Sequence, residues 1–516
     1  MDKLYCKAKE KEIIDQHGHP LYLKGVGIGG WLLLEGYMIK SYETLDRPRR
    51  IKEYITSYIS EGYAEYFFEE WFRRFFQEKD IQLIKEEGFN CIRIPLDYQF
   101  LFEASEDKET LCVIESHFKM LDQMIAESRK QGIYVILDLH AAPGGQTGTN
   151  IDNSIDDIPR LFLNPLYQKQ TIFVWKTLAD RYKNEEYIVA YDLLNEPLPK
   201  WFSSFNNQLM PLYESIIKEI RKVDPHHMIT LEGLHWSTDL SIFSSLEDDN
   251  ILLQFHKYWS NPDQESIKDY IDLREKLHVP LIMGEGGENN KEWYSAVFKM
   301  YEQLNISYAF WTYKKMDIDN SIVSFKKPKN WEAFLTHTLS KEEAKDVLDE
   351  LLEYIQFDYS FIHHEVSNHI VCKDTFTTPA YAFDYEGEGI SKHNVKVHET
   401  SFRKSQGLRI ANQNNQIITP NFKQYNGESM NEEDALYLYL SKDEWVNYTF
   451  YASKKQMFVI EVIGEDVSDT IISINQTEHQ SIDGKIYVEL KKGNHLLNIY
   501  AKNDVKLKEI IFKATS

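Results

Sequence analysis

The feature that most constrains this chain is a series of short, almost uninterrupted apolar runs that each close on polar residues. They are LYLKGVGIGG (21–30), NCIRIPL (90–96), YVILDLH (134–140), IVAYDLLNEP (188–197), HMITLEG (227–233), ILLQFHKY (251–258), PLIMGEGG (280–287) and SYAFWTY (307–313). A strand with one wet face alternates apolar and polar residues, so runs without alternation read as parallel strands covered on both faces. Helix-period segments lie between most of them. These are 73–87, ending before Gly88 as a C-cap, 115–131 with Phe118, Leu121, Met124 and Ile125 on one face, 168–183, 207–223, and 341–355 as a closing helix. Strand–helix alternation repeated eight times predicts an α/β chain folded as a (β/α)8 TIM barrel. An open doubly wound sheet is the alternative, but it calls for a phosphate-binding glycine fingerprint. GVGIGG (25–30) matches that fingerprint only in part before Trp31, Leu32 and Leu33 follow.

Beyond residue 357 the pattern changes. Residues 358–380 read as a linker or a first edge strand, and helical periodicity is lost from 381 onward. Short alternating runs at 445–452, 457–464, 470–476, 485–490, 495–501 and 505–512, separated by Gly, Asn and Asp, predict a C-terminal antiparallel β-sandwich over 381–516. That segment holds 16 basic and 19 acidic residues, so most of the chain's formal charge of −23 belongs to the barrel, 1–357. A surface this acidic repels phosphate backbones and anionic lipid, so neither nucleic acid nor membrane is expected as a partner. No apolar run is long enough to span a bilayer, and the first twenty residues carry no apolar leader core. A cytoplasmic protein is therefore expected, or a secreted one whose leader has been removed. Cys6, Cys91, Cys112 and Cys372 are scattered without metal spacing and read as free thiols.

In a barrel of this kind the chemistry sits at the C-terminal ends of the strands. The side chains there are Arg93, His140, Asn195, Glu196, His256, Tyr258, Glu285 and Trp311. A single buried Glu or His in such a place is commonly structural; eight such residues at the same end of successive strands are hard to attribute to chance. Two are carboxylates, on the fourth and seventh strands, opposed across the barrel mouth. Opposed carboxylates are what glycoside hydrolysis requires: one protonates the leaving oxygen, the other attacks or stabilises the oxocarbenium-like carbon. Arg93 would hold one of them ionised, the Tyr258 hydroxyl could orient it, and Trp311 offers a flat face to a sugar ring.

With these residues, residues 20 to about 340 resemble glycoside hydrolase family 5, in the 4/7 superfamily of retaining β-glycosidases. The match rests on Asn195-Glu196-Pro197, Gly284-Glu285, His256 with Tyr258, the strand-two Arg, the strand-three His and the strand-eight Trp. The resemblance implies Glu196 as general acid/base, Glu285 as nucleophile and Asn195 as partner of the sugar 2-hydroxyl. Within the family, GVGIGGWLLLEGYM (25–38) and LHAAPGGQTGTNIDNS (139–154) resemble exo-β-1,3-glucanases, which implies that Glu35 and Asn153 grip the non-reducing terminal sugar and enforce exo action. The chain departs from that pattern at Ile151, where the relatives carry an aromatic, and at Gly36-Tyr37, where they carry Pro and an aromatic. DEWVNYTF (443–450) and ELKKGNHLLNIYAKN (489–503) resemble carbohydrate-binding modules of families 6 and 35, which would place a structural calcium near Glu386 and Glu388.

The expectation is a retaining exo-acting β-glycosidase of the β-glucosidase or exo-β-glucanase type, working on a carbohydrate substrate without a cofactor. An endo-β-glucanase or β-mannosidase on the same barrel is the alternative, and a non-catalytic carbohydrate-binding protein a remote one. The Lys-rich stretch 313–331 is expected as a solvated connection, or alternatively as a lid over the aglycone.

Overall fold

The computed structural model describes residues 5–107, 109–422, 431, 433–481 and 484–515. It divides into two compact units. The first comprises Met1–Lys257, Asp272–Gly286 and Ser307–Ile362; the second comprises Tyr258–Ile271, Gly287–Ile306 and His363–Ser516. Each of the eight apolar runs carries a strand: Lys24–Gly27 (β1), Cys91–Asp97 (β2), Tyr134–Ala141 (β3), Ile188–Asp192 (β4), Met228–Glu232 (β5), Ile251–His256 (β6), Leu281–Gly287 (β7) and Ser307–Trp311 (β8). They close into a barrel in sequence order, with parallel neighbours. The expected TIM barrel is therefore present.

The two ends of the barrel differ in chemistry. Leu23, Cys91, Ile136, Met228, Leu252 and Ile282, near the strand starts, form one apolar cluster with Cys6 and Ile13. Cys6 and Ile13 come from the N-terminal hairpin region, Lys7–Lys9 with Glu12–Ile14. All four cysteines are unpaired, as the sequence predicts.

Longer helices are Pro48–Tyr58 (α1), Glu61–Phe75 (α2), Glu78–Glu87 (α3), Glu115–Gln131 (α4), Pro165–Tyr182 (α5), Leu209–Arg221 (α6), Lys268–Leu277 (α7), Lys291–Gln303 (α8) and Lys341–Tyr354 (α9). The single helix expected over 73–87 is two. Gln77 breaks it as an N-cap: its N–H is accepted by Asp80 Oδ2 at 2.7 Å while its own side chain accepts from the Asp80 main chain. Gly88 does cap α3, at φ 102°. None of the described helices is long and apolar enough to cross a membrane.

Residues 358–380 are more structured than a linker. Phe361–Ile362 pairs with Val323–Phe325, residues His364–Ile370 form a helix, and Phe376–Pro379 pairs antiparallel with Val505–Thr515. The start of the 313–331 stretch also differs from a solvated connection. Lys314 is fully buried, donating to the carbonyls of Phe75 and Ile355 and lying 3.0 Å from Asp80.

In the second unit, two antiparallel sheets bear out the C-terminal sandwich. One runs Arg409–Ala411, Tyr437–Leu440, Val505–Thr515, Gln456–Glu465, Lys485–Leu490, with Phe376–Pro379 beside Val505–Thr515; the other runs Lys392–His393, Trp445–Ala452, Gly493–Ala501, Thr470–Ile474, Thr477–His479. Phe450 of the second sheet meets Phe458 and Phe512 of the first, with ring centroids 5.6 and 4.5 Å apart. Such contacts between inward-facing aromatics hold the layers together.

Candidate active site

Arg93, in the middle of β2, is fully buried. Its guanidinium donates to Asp192 Oδ2 at 2.9 Å, Glu285 Oε1 at 2.5 Å, Glu232 Oε1 at 2.9 Å and Asn195 Oδ1 at 2.9 Å, and lies 3.1 Å from Asp138 Oδ2. Four strands, β3, β4, β5 and β7, thus direct a side chain at one cation, and Asn195 adds another from just beyond β4. Burial drives the Asp192 carboxyl well above its usual range and the neighbouring Glu232 charge adds to this, while Arg93 works against it. One oxygen each of Asp138, Asp192 and Glu232 lie within 4.8 Å of one another, a spacing that a metal ion could bridge. Arg93 already stands within 3.1 Å of all three and fills the place of that cation.

Glu196 follows β4 and Glu285 lies in β7. The two carboxylates and His256 each offer an atom within 4.8 Å of the others. His256 Nδ1 is 2.6 Å from Glu196 Oε1 and 3.7 Å from Glu285 Oε2. Burial pushes the Glu196 carboxyl up to about 7, against the pull of its His256 hydrogen bond and with the charge of Glu285 adding to the rise. Burial opposes charge on His256, but Glu232 and Glu285 outweigh it and raise the imidazole well above its usual value. Gly284, before the Glu285 carboxylate, has no room for a side chain: a Cβ there would lie 2.1 Å from the Gln254 carboxamide.

His140 and Asn195 brace this pair. His140 Nδ1 bonds Asp138 Oδ2 at 2.6 Å, so Nε2 is left to accept from Asn195 Nδ2 at 3.1 Å. Asn195 spends its oxygen on Arg93 and one N–H on His140; its second N–H stays available for a ligand hydroxyl. The Trp311 indole lies parallel to His140, centroids 5.7 Å apart, and donates Nε1–H to the Tyr37 hydroxyl at 2.8 Å. A Cβ on Gly27 or Gly29 would come within 2.6 Å of that indole. Gly27 and Gly29 of GVGIGG thus make room for Trp311, a physical reason for those glycines that has nothing to do with phosphate. Tyr37, one of the departures from the exo-glucanase pattern, is the residue that fixes the indole.

The remaining expected residues are placed less directly. Glu35 is buried at the N-cap of the short turn Gly36–Ile39, two residues before Tyr37. Asn153 donates to Asp97 Oδ2 at 2.7 Å and Gln99 Oε1 at 2.8 Å and accepts the Arg49 N–H at 3.0 Å. It also lines a cavity of about 920 Å³ with Asp97, Gln99, Phe68 and Phe72, which Glu196 and Glu285 do not line. Tyr258 is half-buried two residues after the end of β6. Glu386 and Glu388 are exposed, and Glu388 is already engaged by Lys392 and His393, so the geometry there gives no support to the expected calcium. Sequence reading missed Glu232, Gln254 and the Trp201–Trp236 pair. Glu232 closes HMITLEG at the same strand end as the residues that were recognised. Trp201, 62% exposed, and Trp236 meet edge to face with centroids 5.1 Å apart, on the segments that follow β4 and β5.

The family model for cellulase, glycosyl hydrolase family 5, matches residues 53–317. The chain belongs to glycosyl hydrolase family 5. Among curated relatives, a beta-xylosidase of Phanerodontia chrysosporium is 32% identical over 49% of this chain and 52% of its own length. Endoglucanase C of Acetivibrio thermocellus is 25% identical over 49% of this chain and 88% of its own. A probable glucan 1,3-beta-glucosidase A of Emericella nidulans is 30% identical over 51% of this chain and 66% of its own. The chain thus spans about half the length of the beta-xylosidase it matches.

Proposed function

We propose that this family 5 member is a retaining, exo-acting β-glycosidase that hydrolyses β-glucosides or short β-linked oligosaccharides by double displacement. The observation that carries the reading is the spacing of Glu196 and Glu285, with an oxygen of each within 4.8 Å. Retaining glycosidases hold their carboxyl groups about 5–5.5 Å apart, whereas inverting ones need about 6.5–9.5 Å to admit a water between them. Glu285, backed by Arg93, attacks the anomeric carbon while protonated Glu196 gives its proton to the leaving oxygen. Glu196 then takes a proton from water, which releases the sugar with its configuration retained. The second N–H of Asn195 is the donor for the 2-hydroxyl.

A second reading, endo action, draws on Asn153. Its amide is already spent on Asp97, Gln99 and the Arg49 main chain. A residue so engaged gives a weaker grip on a terminal sugar than exo action asks for. A panel of aryl β-glucosides, β-xylosides and β-mannosides, followed by product analysis on short β-glucans, tests both. Release of a single sugar per cut, first seen as the β-anomer, is expected. Internal cleavage to mixed oligosaccharides would favour the endo reading, and α-anomer as first product would end the retaining one.

A further inference from the structure

Glu232, at the end of β5, is fully buried, and no role in the reaction has been given to it so far. Oε1 accepts from Arg93 Nη2 at 2.9 Å and from Gln254 Nε2, and Oε2 accepts the main-chain N–H of Glu196 at 2.8 Å. His256 Nε2 stands 3.4 Å from Oε1, and the opposite ring nitrogen bonds the Glu196 carboxylate. One side chain therefore touches the peptide that carries Glu196, the imidazole that binds its carboxylate, and the cation that faces Glu285.

Charge balance for Arg93 does not by itself account for this arrangement, because Glu285 already faces the guanidinium. What Glu232 supplies is an acceptor for the Glu196 N–H and a negative charge on the far side of His256, where Gln254 Nε2 also stands 3.0 Å from the ring nitrogen. The acceptor matters because Glu196 sits at φ 48°, a left-handed conformation that a non-glycine residue keeps only when its surroundings hold it there. Burial works against charge on Glu232, but His256, Arg93 and the Glu196 N–H outweigh it and hold its carboxyl low, at about 2.

We infer that Glu232 is a positioning residue for the general acid/base: it aims Glu196 at the glycosidic oxygen by holding the Glu196 peptide and the far nitrogen of His256. The inference rests on the assignment of Glu196 as acid. It predicts a defect confined to steps that need proton donation, whereas a merely structural defect would slow all substrates alike.

The test is Glu232→Gln, compared on a phenyl β-glucoside, whose poor leaving group needs the acid, and on a dinitrophenyl β-glucoside, which does not. The Gln carboxamide must turn its NH2 toward either the Glu196 N–H or the Arg93 and Gln254 donors, so the bond pattern cannot be kept. The expected loss in kcat/KM is about 10²-fold on the phenyl glucoside, as for a misplaced catalytic group, and only a few-fold on the dinitrophenyl glucoside. Glu232→Asp, which keeps the charge but draws it back, should show the same selectivity to a lesser degree and serves if the Gln variant does not fold. Equal losses on both substrates, or none on either, would overturn the inference. Glu196→Ala run in parallel separates the two claims: if it too lacks leaving-group selectivity, the acid assignment fails; if it alone shows selectivity, only the role of Glu232 fails.

Discussion

At the scale of single residues, the site works by making buried charges depend on each other. The raised carboxyl of Glu196 is the direct consequence, since burial disfavours its ionised form and Glu285 adds to this. The proposed first step consumes the protonated form. kcat/KM should therefore fall as pH rises through about 7, the value to which that carboxyl is pushed. A pH–rate profile checks this; activity still undiminished two pH units higher would mean that another group supplies the proton. A second prediction concerns Gly29. A Cβ there meets Met38 Cε and Trp311 Cη2, both at 2.6 Å. Gly29→Ala should cost about 1–3 kcal/mol in a urea titration, as overpacking does, and raise KM by tilting the indole. Unchanged stability and KM would show that the indole is not held by that contact.

At the scale of elements, how much the sequence discloses depends on whether the signal is local. The barrel strands were legible because a strand buried on both faces must be apolar throughout, and the eight end residues were legible because they stand at the same end of those runs. Glu232 obeys the same rule but lies in no motif, so only the distance to the Glu196 N–H reveals it. The break at Gln77 was hidden because Phe75 and Phe76 continue the apolar spacing, and only the Asp80 cap marks the end. Phe376–Pro379 and Tyr437–Leu440 were too short to alternate visibly, and partners far along the chain define them. Trp201 and Trp236 come together only because β4 and β5 are neighbours.

At the scale of the whole molecule, the two units interleave along the chain. Helix α8, between β7 and β8 in sequence, belongs to the second unit, where Trp293, Val297, Phe298, Met300 and Tyr301 are all fully buried. In that unit Tyr385 donates its N–H to Gln303 at 2.8 Å, and Asn289 donates to the Phe422 carbonyl at 3.0 Å. Deleting 381–516 removes those partners and also Val505–Thr515, the strand that pairs with Phe376–Pro379. Loss of soluble protein is expected, because exposed apolar patches of this kind drive aggregation. A soluble, cooperatively melting and fully active deletion, seen by calorimetry and assay, would mean that α8 needs nothing beyond residue 380. On the proposed mechanism, catalysis depends on what a closed barrel does to β4 and β7, which is to hold two carboxylates at a fixed separation. The most direct test of that claim is azide rescue. Glu285→Gln should show no turnover and no rescue. Glu196→Ala, given a dinitrophenyl β-glucoside and azide, should regain turnover and yield the β-glucosyl azide. An α-glucosyl azide from Glu196→Ala, or a β-glucosyl azide from the Glu285 variant, would contradict the assignment of the two residues.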